Sequence, residues 1–115
     1  MTKEDKRLHT RIEALNLIAY ECTDESGQMV LRGMGRTLNV SEGGILLETH
    51  VQIEQQYDAS LSIGLKNDLI DIKGKVVSSK PGKVHKFESG IKFLEISEAE
   101  FAILKVYIKA FQDTN

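Results

Sequence analysis

The sequence is poor in the residues that crosslink a fold or interrupt it. Its 115 residues include one cysteine, one proline and no tryptophan. Because Cys22 has no second cysteine to pair with, an internal disulfide bond is excluded and nothing points to an oxidising compartment. Uninterrupted apolar runs do not exceed four residues, as at 17–20, whereas a membrane-spanning helix needs about 20. We therefore expect a cytoplasmic protein with no membrane insertion.

Strong charge of either sign is also missing. Fifteen basic and seventeen acidic side chains leave a net charge of −2, which argues against a protein that coats a nucleic acid polymer through bulk charge. A small barrel that binds single-stranded nucleic acid needs aromatic side chains on its surface. This chain has only four Phe and three Tyr, of which three lie on a predicted C-terminal helix and three fall in core-like patterns. Nucleic acid is therefore the least favoured partner.

The N-terminus differs in character from the rest of the chain. Its first eleven residues are polar, with four basic and two acidic side chains, and the charged start at residues 1–7 is not followed by the apolar stretch of a signal peptide. We therefore expect no secretory signal. The length fits one domain and a tail. We predict a flexible basic arm over residues 1–11 and a folded domain over residues 12–115, with a merely solvated tail as the alternative for the arm.

Alternation of apolar and polar residues predicts that most of the chain is β-strand. The clearest case is the segment 57–65, whose apolar members are Tyr57, Ala59, Leu61, Ile63 and Leu65. The predicted strands are 12–22, 28–38, 45–47, 57–65, 70–76 and 87–93, with turns or loops at 24–27, 39–44, 66–68 and 80–83. In the last turn, Pro81 should occupy the first turn position and Gly82 should adopt a positive φ.

The C-terminal segment has a different period. Ser97 and Glu100 form a capping box, and four apolar residues follow at spacings of three and four, which predicts an amphipathic helix of about four turns. These apolar residues are Phe101, Leu104, Ile108 and Phe111. Six strands and one terminal helix predict a mainly β fold, an antiparallel barrel or sandwich with the helix packed on the sheet or across one barrel mouth.

Catalytic motifs are absent. His9, His50 and His85 are scattered, and no nucleotide-binding glycine loop or nucleophile elbow occurs. One cysteine and three separated histidines make a metal site improbable. Cys22 falls in a predicted strand, where a buried structural role is the better interpretation. We expect a protein that is not an enzyme and has no metal or cofactor.

The arginines point instead to anion binding. All four fall into R-x-x-x-R pairs, Arg7 with Arg11 and Arg32 with Arg36. Guanidinium groups bind phosphate and guanine edges through paired hydrogen bonds, and they stack on base faces. Two such pairs in one chain show how weak the pattern is alone, since exposed surface arginines would produce it equally well.

A second motif is Asn39-x-Ser41-x-x-Gly44. Short polar side chains beside glycines let a ligand approach the backbone closely and offer it hydrogen-bond donors and acceptors. Taken alone, a polar connection between two strands is the simpler interpretation.

The two motifs together resemble the paired signature of the PilZ domain family, R-x-x-x-R followed by [D/N]-x-S-x-x-G. Here the first half is RLHTR at residues 7–11 and the second is NVSEGG at residues 39–44. The resemblance continues in GIKF at residues 90–93, which is similar to the family's last strand, and in the capped helix from Ser97. It covers nearly the whole chain and implies a stand-alone PilZ domain.

This resemblance implies a six-stranded antiparallel β-barrel with a C-terminal α-helix, in agreement with the strand count. Family members that keep both motifs bind the bacterial second messenger cyclic di-GMP. Carried over to this sequence, Arg7 and Arg11 would close over the ligand from the mobile arm. Asn39, Ser41 and Gly44 would line the barrel side of the site.

Further expectations follow from the same resemblance. Arg36 lies three residues before Asn39 and is a candidate for a base or phosphate contact, with a plain surface residue as an equal alternative. Many members have Asp where this chain has Asn39. Compared with that carboxylate, the amide of Asn39 adds a hydrogen-bond donor and removes a negative charge. The implied function is that of a receptor. Ligand binding would order the arm over the barrel and so change the surface that an unidentified protein partner recognises. The alternative is a PilZ-like interaction adaptor that binds no nucleotide, although such relatives tend to lack the arginines.

Overall fold

The computed structural model describes residues 17–65 and 68–114, which form six β-strands and one α-helix. The strands are β1 (Leu17–Thr23), β2 (Met29–Val40), β3 (Gly44–Thr49), β4 (Asp58–Leu65), β5 (Asp68–Pro81) and β6 (Phe87–Phe93), and the helix is α1 (Glu98–Thr114). The predicted mainly β fold with a C-terminal helix is confirmed. The arm predicted over residues 1–11 lies outside the described residues, so it stays a prediction.

The sheet closes on itself into a barrel in the order β1-β2-β3-β6-β5-β4. Every neighbouring pair is antiparallel, including β4 with β1, which closes the barrel. Register shifts interrupt β2 between Thr37 and Asn39 and β5 between Val76 and Ser78. Such bulges bend a strand and re-aim its side chains. The two bulges therefore lie in the strands that flank the β3–β6 pair, one on each side.

The barrel interior is filled by the apolar half of each alternating strand. The segment 57–65 behaves as its pattern predicts, because Ala59, Leu61 and Ile63 are buried and Tyr57 is half-buried. Buried residues of the other strands include Ile18, Val40, Leu47, Ile72, Val76 and Ile91. One continuous apolar core therefore forms inside the closed sheet.

Helix α1 packs its apolar face against this core. Leu104 and Tyr107 are fully buried, and Ile108 and Phe111 are nearly so. The Tyr107 hydroxyl lies 3.0 Å from the hydroxyl Oγ1 of Thr37, a buried residue of β2. Burial raises the pKa of Tyr107, and the hydrogen bond with Thr37 opposes this shift. The phenol therefore stays neutral and ties the helix to the strand that leads into the Asn39 motif.

The first correction concerns the loop predicted at 39–44. Strand β2 continues through Asn39 and Val40, which lie opposite Leu46 and Ile45 of β3. Only residues 41–43 connect the two strands, because Gly44 already begins β3. Because β2 and β3 stay paired beyond the bulge in β2, they are joined by a tight turn and not by the longer loop that was predicted.

The second correction concerns the hairpin predicted at 80–83. Pro81 is the last residue of β5, and the Gly82 N–H donates to the Lys86 carbonyl oxygen at 3.0 Å. The Lys86 N–H in turn donates to Lys83 O at 2.9 Å, so the chain reverses over 83–86. His85 takes the positive φ, 63°, that was expected at Gly82. The expected turn was wrong because the antiparallel ladder runs past the proline.

Cys22 has the buried role that its strand position predicts. It lies in β1 with no exposed surface. Burial raises the pKa of its thiol to about 11. Since the thiolate is the nucleophilic form, this thiol is chemically quiet at neutral pH.

Candidate ligand-binding site

The turn between β2 and β3 is held by its own polar groups. The backbone N–H of Ser41 donates to the carbonyl oxygen of Gly44 at 2.9 Å. The Gly43 N–H donates to the Ser41 hydroxyl at 3.3 Å, and that hydroxyl donates to Gly44 O at 3.5 Å. Ser41 therefore shapes the turn while its side chain stays exposed to solvent.

Asn39 precedes this turn at the end of the bulge in β2. Its amide oxygen accepts a hydrogen bond from the Val40 N–H at 3.0 Å. Within the described ranges, the amide nitrogen of this exposed side chain has no partner. Because an amide nitrogen carries two donors, Asn39 offers a ligand two N–H groups at fixed positions.

Gly44 and the turn are pressed against β6. A side-chain carbon at Gly44 would lie 2.6 Å from the Ile91 carbonyl oxygen, closer than real atoms approach. The Gly43 carbonyl oxygen also accepts a hydrogen bond from the Phe93 N–H at 2.9 Å. A glycine is needed at position 44 because the backbones of β3 and β6 lie too close together here for a side chain. Since Gly44 has no side chain, the surface above the two strands stays open.

These residues surround one depression on the barrel wall, with a volume of about 410 Å³. It brings together Asn39, Ser41 and Gly44, the three barrel residues expected from the motif. The complete lining is Asn39, Val40, Ser41, Gly43, Gly44, Ile45, Leu46, Val77, Gly90, Ile91 and Lys92. We call this depression the turn cavity. It combines amide, hydroxyl and backbone groups with an apolar floor, as expected of a small-molecule site.

The sequence of this chain matches the model of the PilZ domain family over residues 5–110. The chain belongs to the PilZ domain family. Among the solved structures that share the fold are two whose identities to this chain are low, so the likeness shows the fold alone. The first is the PilZ domain of CeSA from a cellulose-synthesising bacterium, with a TM-score of 0.56, 10% identity and coverage of 84% of this chain and 93% of that one.

The second is MrkH of K. pneumonia in its apo state, with a TM-score of 0.54 and 13% identity. The match covers 85% of this chain but only 49% of MrkH, so this PilZ domain spans about half of that protein. Among curated protein sequences, none matches this chain. PilZ domains generally bind cyclic di-GMP and act in signalling, typically as receptors or adaptors and not as enzymes.

Of the three arginines expected at the site, the structure describes only Arg36. Arg7 and Arg11 lie outside the described residues of this PilZ domain. Arg36 is exposed on β2, opposite the buried Glu48 of β3, and does not line the turn cavity. Glu48 already has a cationic neighbour, because the Lys86 ammonium lies 3.5 Å from its carboxylate. Arg36 therefore lies on the same strand as Asn39 but on the other side of the bulge.

The turn cavity also includes residues of β5 and β6 that the sequence did not lead us to expect there. Val77 lies at the bulge of β5, and Gly90 and Lys92 lie on β6. The segment 90–93 was noted only as a family-like strand pattern. The β3–β6 pairing that brings Gly90 and Lys92 to the motif joins segments about 45 positions apart. The bulge that places Val77 there leaves no mark in a periodic pattern.

Elsewhere in the described part of the chain, a second candidate site would have to lie in another surface depression or at a group of possible metal ligands. A larger depression, about 510 Å³, lies on the outer face of β1, β2, β4 and β5 and includes Arg32 and Asp71, but no residue of the segment 39–44 lines it. Among residues 17–65 and 68–114, no group of His, Cys, Asp and Glu side chains is arranged to hold a metal ion. The helix in this part of the chain is not long and apolar enough to cross a bilayer.

Proposed function

We propose that this PilZ domain is a bacterial receptor for cyclic di-GMP. The observation that carries the proposal is the turn cavity, where Asn39, Ser41 and Gly44 meet around one open surface. The amide nitrogen of Asn39, which has no partner among the described residues, and the hydroxyl of Ser41 suit the polar edge of a guanine base or a phosphate oxygen. The glycines allow the ligand to lie close to the backbone.

Arg7 and Arg11 are proposed to bind the ligand from above the cavity. Each phosphate of cyclic di-GMP carries a negative charge, and its guanines present flat faces and polar edges. Guanidinium groups pair with phosphates and guanine edges and stack on base faces. If the arm becomes ordered only when the ligand binds, part of the binding energy offsets the loss of chain entropy. Arg36 stays a candidate for an additional contact from β2.

The proposed output is a change in the surface that a protein partner recognises. A ligand shifts the balance between two arm positions only by the difference in its affinity for them. Contacts with Arg7 and Arg11 would supply that difference. We further propose that the protein acts in the cytoplasm, where a bacterial second messenger is found, and that it performs no reaction on its ligand.

Isothermal titration with cyclic di-GMP tests the receptor proposal. The wild-type chain should bind saturably at micromolar or tighter affinity. Since a hydrogen bond to a charged group contributes about 1.5–3 kcal/mol, Arg7→Ala and Arg11→Ala should each weaken binding roughly ten- to hundredfold. The double variant Arg7→Ala/Arg11→Ala should show no measurable binding.

The chain contains its own matched control. Arg32→Ala removes the same charge from the other R-x-x-x-R pair, outside the turn cavity, and should bind like the wild type. Asn39→Ala should weaken binding, because it removes an amide that lines the turn cavity. No heat from the wild type together with an unchanged melting temperature would overturn the proposal and favour the adaptor alternative.

A further inference from the structure

The two ends of the turn cavity differ chemically. At one end, Asn39, Leu46 and Gly90 lie side by side across β2, β3 and β6. Leu46 is half-buried, Gly90 has no side chain, and the exposed Val77 borders them, so this end has an apolar floor. At the other end, Gly44 lies directly opposite Lys92 beside the Ser41 turn. The cavity therefore has an apolar end and a cationic end.

Among the described residues that line the cavity, Lys92 is the only one with a formally charged side chain. It is exposed, and within the described ranges it takes part in no ion pair. Its neighbour across the strands, Lys75, differs in this respect, because its ammonium lies 3.2 Å from the Asp58 carboxylate. A cation without a counter-ion, beside backbone and hydroxyl groups, is suited to bind an anion.

We propose that Lys92 binds a phosphate group of the nucleotide and so sets the direction in which the nucleotide lies in the cavity. The phosphate lies at the Gly44 end, and a guanine base lies over the apolar floor formed by Leu46 and Gly90, within reach of Asn39. This assignment rests on the proposed receptor function. It adds a charge-bearing contact on β6, which is separate from the arm and from the Asn39 motif.

The test is titration with cyclic di-GMP of Lys92→Gln, which removes the charge but keeps most of the side-chain stem. Binding should weaken roughly tenfold at low salt, as expected for the loss of one charge-assisted contact. The affinity of Lys92→Gln should also depend less on salt than that of the wild type, because one screened ionic contact is gone. Lys92→Arg keeps the charge and should retain most of the affinity.

Lys75→Gln is the matched control, since it makes the same change in net charge on the neighbouring strand but outside the cavity. It should bind like the wild type. A wild-type chain that binds while Lys92→Gln binds equally well, with the same salt dependence, would overturn this inference and leave the receptor proposal intact. Equal losses in Lys92→Gln and Lys75→Gln would also overturn it, since net charge would then explain both. A wild type that does not bind would overturn both proposals.

Discussion

At the residue scale, burial determines the chemistry of Cys22. Its thiol pKa rises from the ordinary 9.0 to about 11 because the folded barrel excludes water from it. Between these two pH values, the folded state keeps a proton that the unfolded chain releases. The free energy of unfolding should therefore be unaffected by this group below pH 9 and should fall as the pH rises towards 11.

Urea unfolding at a series of pH values on both sides of 9 measures this effect. Cys22→Ala removes the thiol, so its stability should decline less steeply over the same interval. A residual decline is expected, because burial also raises the pKa values of Tyr20 and Tyr107. Equal slopes for the variant and the wild type would show that the thiol does not contribute.

At the element scale, the start of α1 depends on a reciprocal pair of hydrogen bonds. The Glu100 N–H donates to the Ser97 hydroxyl at 3.1 Å, and the Ser97 N–H donates to the Glu100 carboxylate at 3.1 Å. Ser97→Ala should lower the free energy of unfolding by about 1 kcal/mol, since it leaves the Glu100 N–H without its cap. Urea unfolding should show Ser97→Thr, which keeps the hydroxyl, close to the wild type. A loss as large in Ser97→Thr would mean that the cap hydroxyl is not the cause.

At the scale of the whole molecule, the barrel and the helix share one core. Leu104 is fully buried where α1 meets the sheet, so Leu104→Ala should cost about 2–5 kcal/mol. Because the core is continuous, the helical signal in circular dichroism and the tyrosine fluorescence should be lost in one transition. Val106→Ala, at a side chain that is 56% exposed on the same helix, should change stability by less than about 0.5 kcal/mol. Separate transitions for the two signals would show that the helix is not part of the cooperative unit.

The features that could be predicted from the sequence are those that depend on residues close together in the chain. Period-two alternation predicted the interior residues of β4, and the capping box predicted the first turn of α1, because both depend on neighbours a few positions apart. The motif at 39–44 identified three residues that line one cavity. The turn at 83–86 was misplaced because nothing local shows how far an antiparallel ladder continues beyond Pro81.

Local patterns in the sequence were enough to predict the strand alternation and the terminal helix, and the motifs were enough to identify the family and to single out Asn39, Ser41 and Gly44 as candidate site residues. The neighbours of these three residues follow from the folded barrel and not from any local pattern. Pairing of β3 with β6 brings Lys92 opposite Gly44, and the bulge in β5 adds Val77. Periodicity specifies which face of a strand is buried, but the register between distant strands is chosen by packing of the whole core. The composition of the cavity therefore depends on contacts that no local pattern contains.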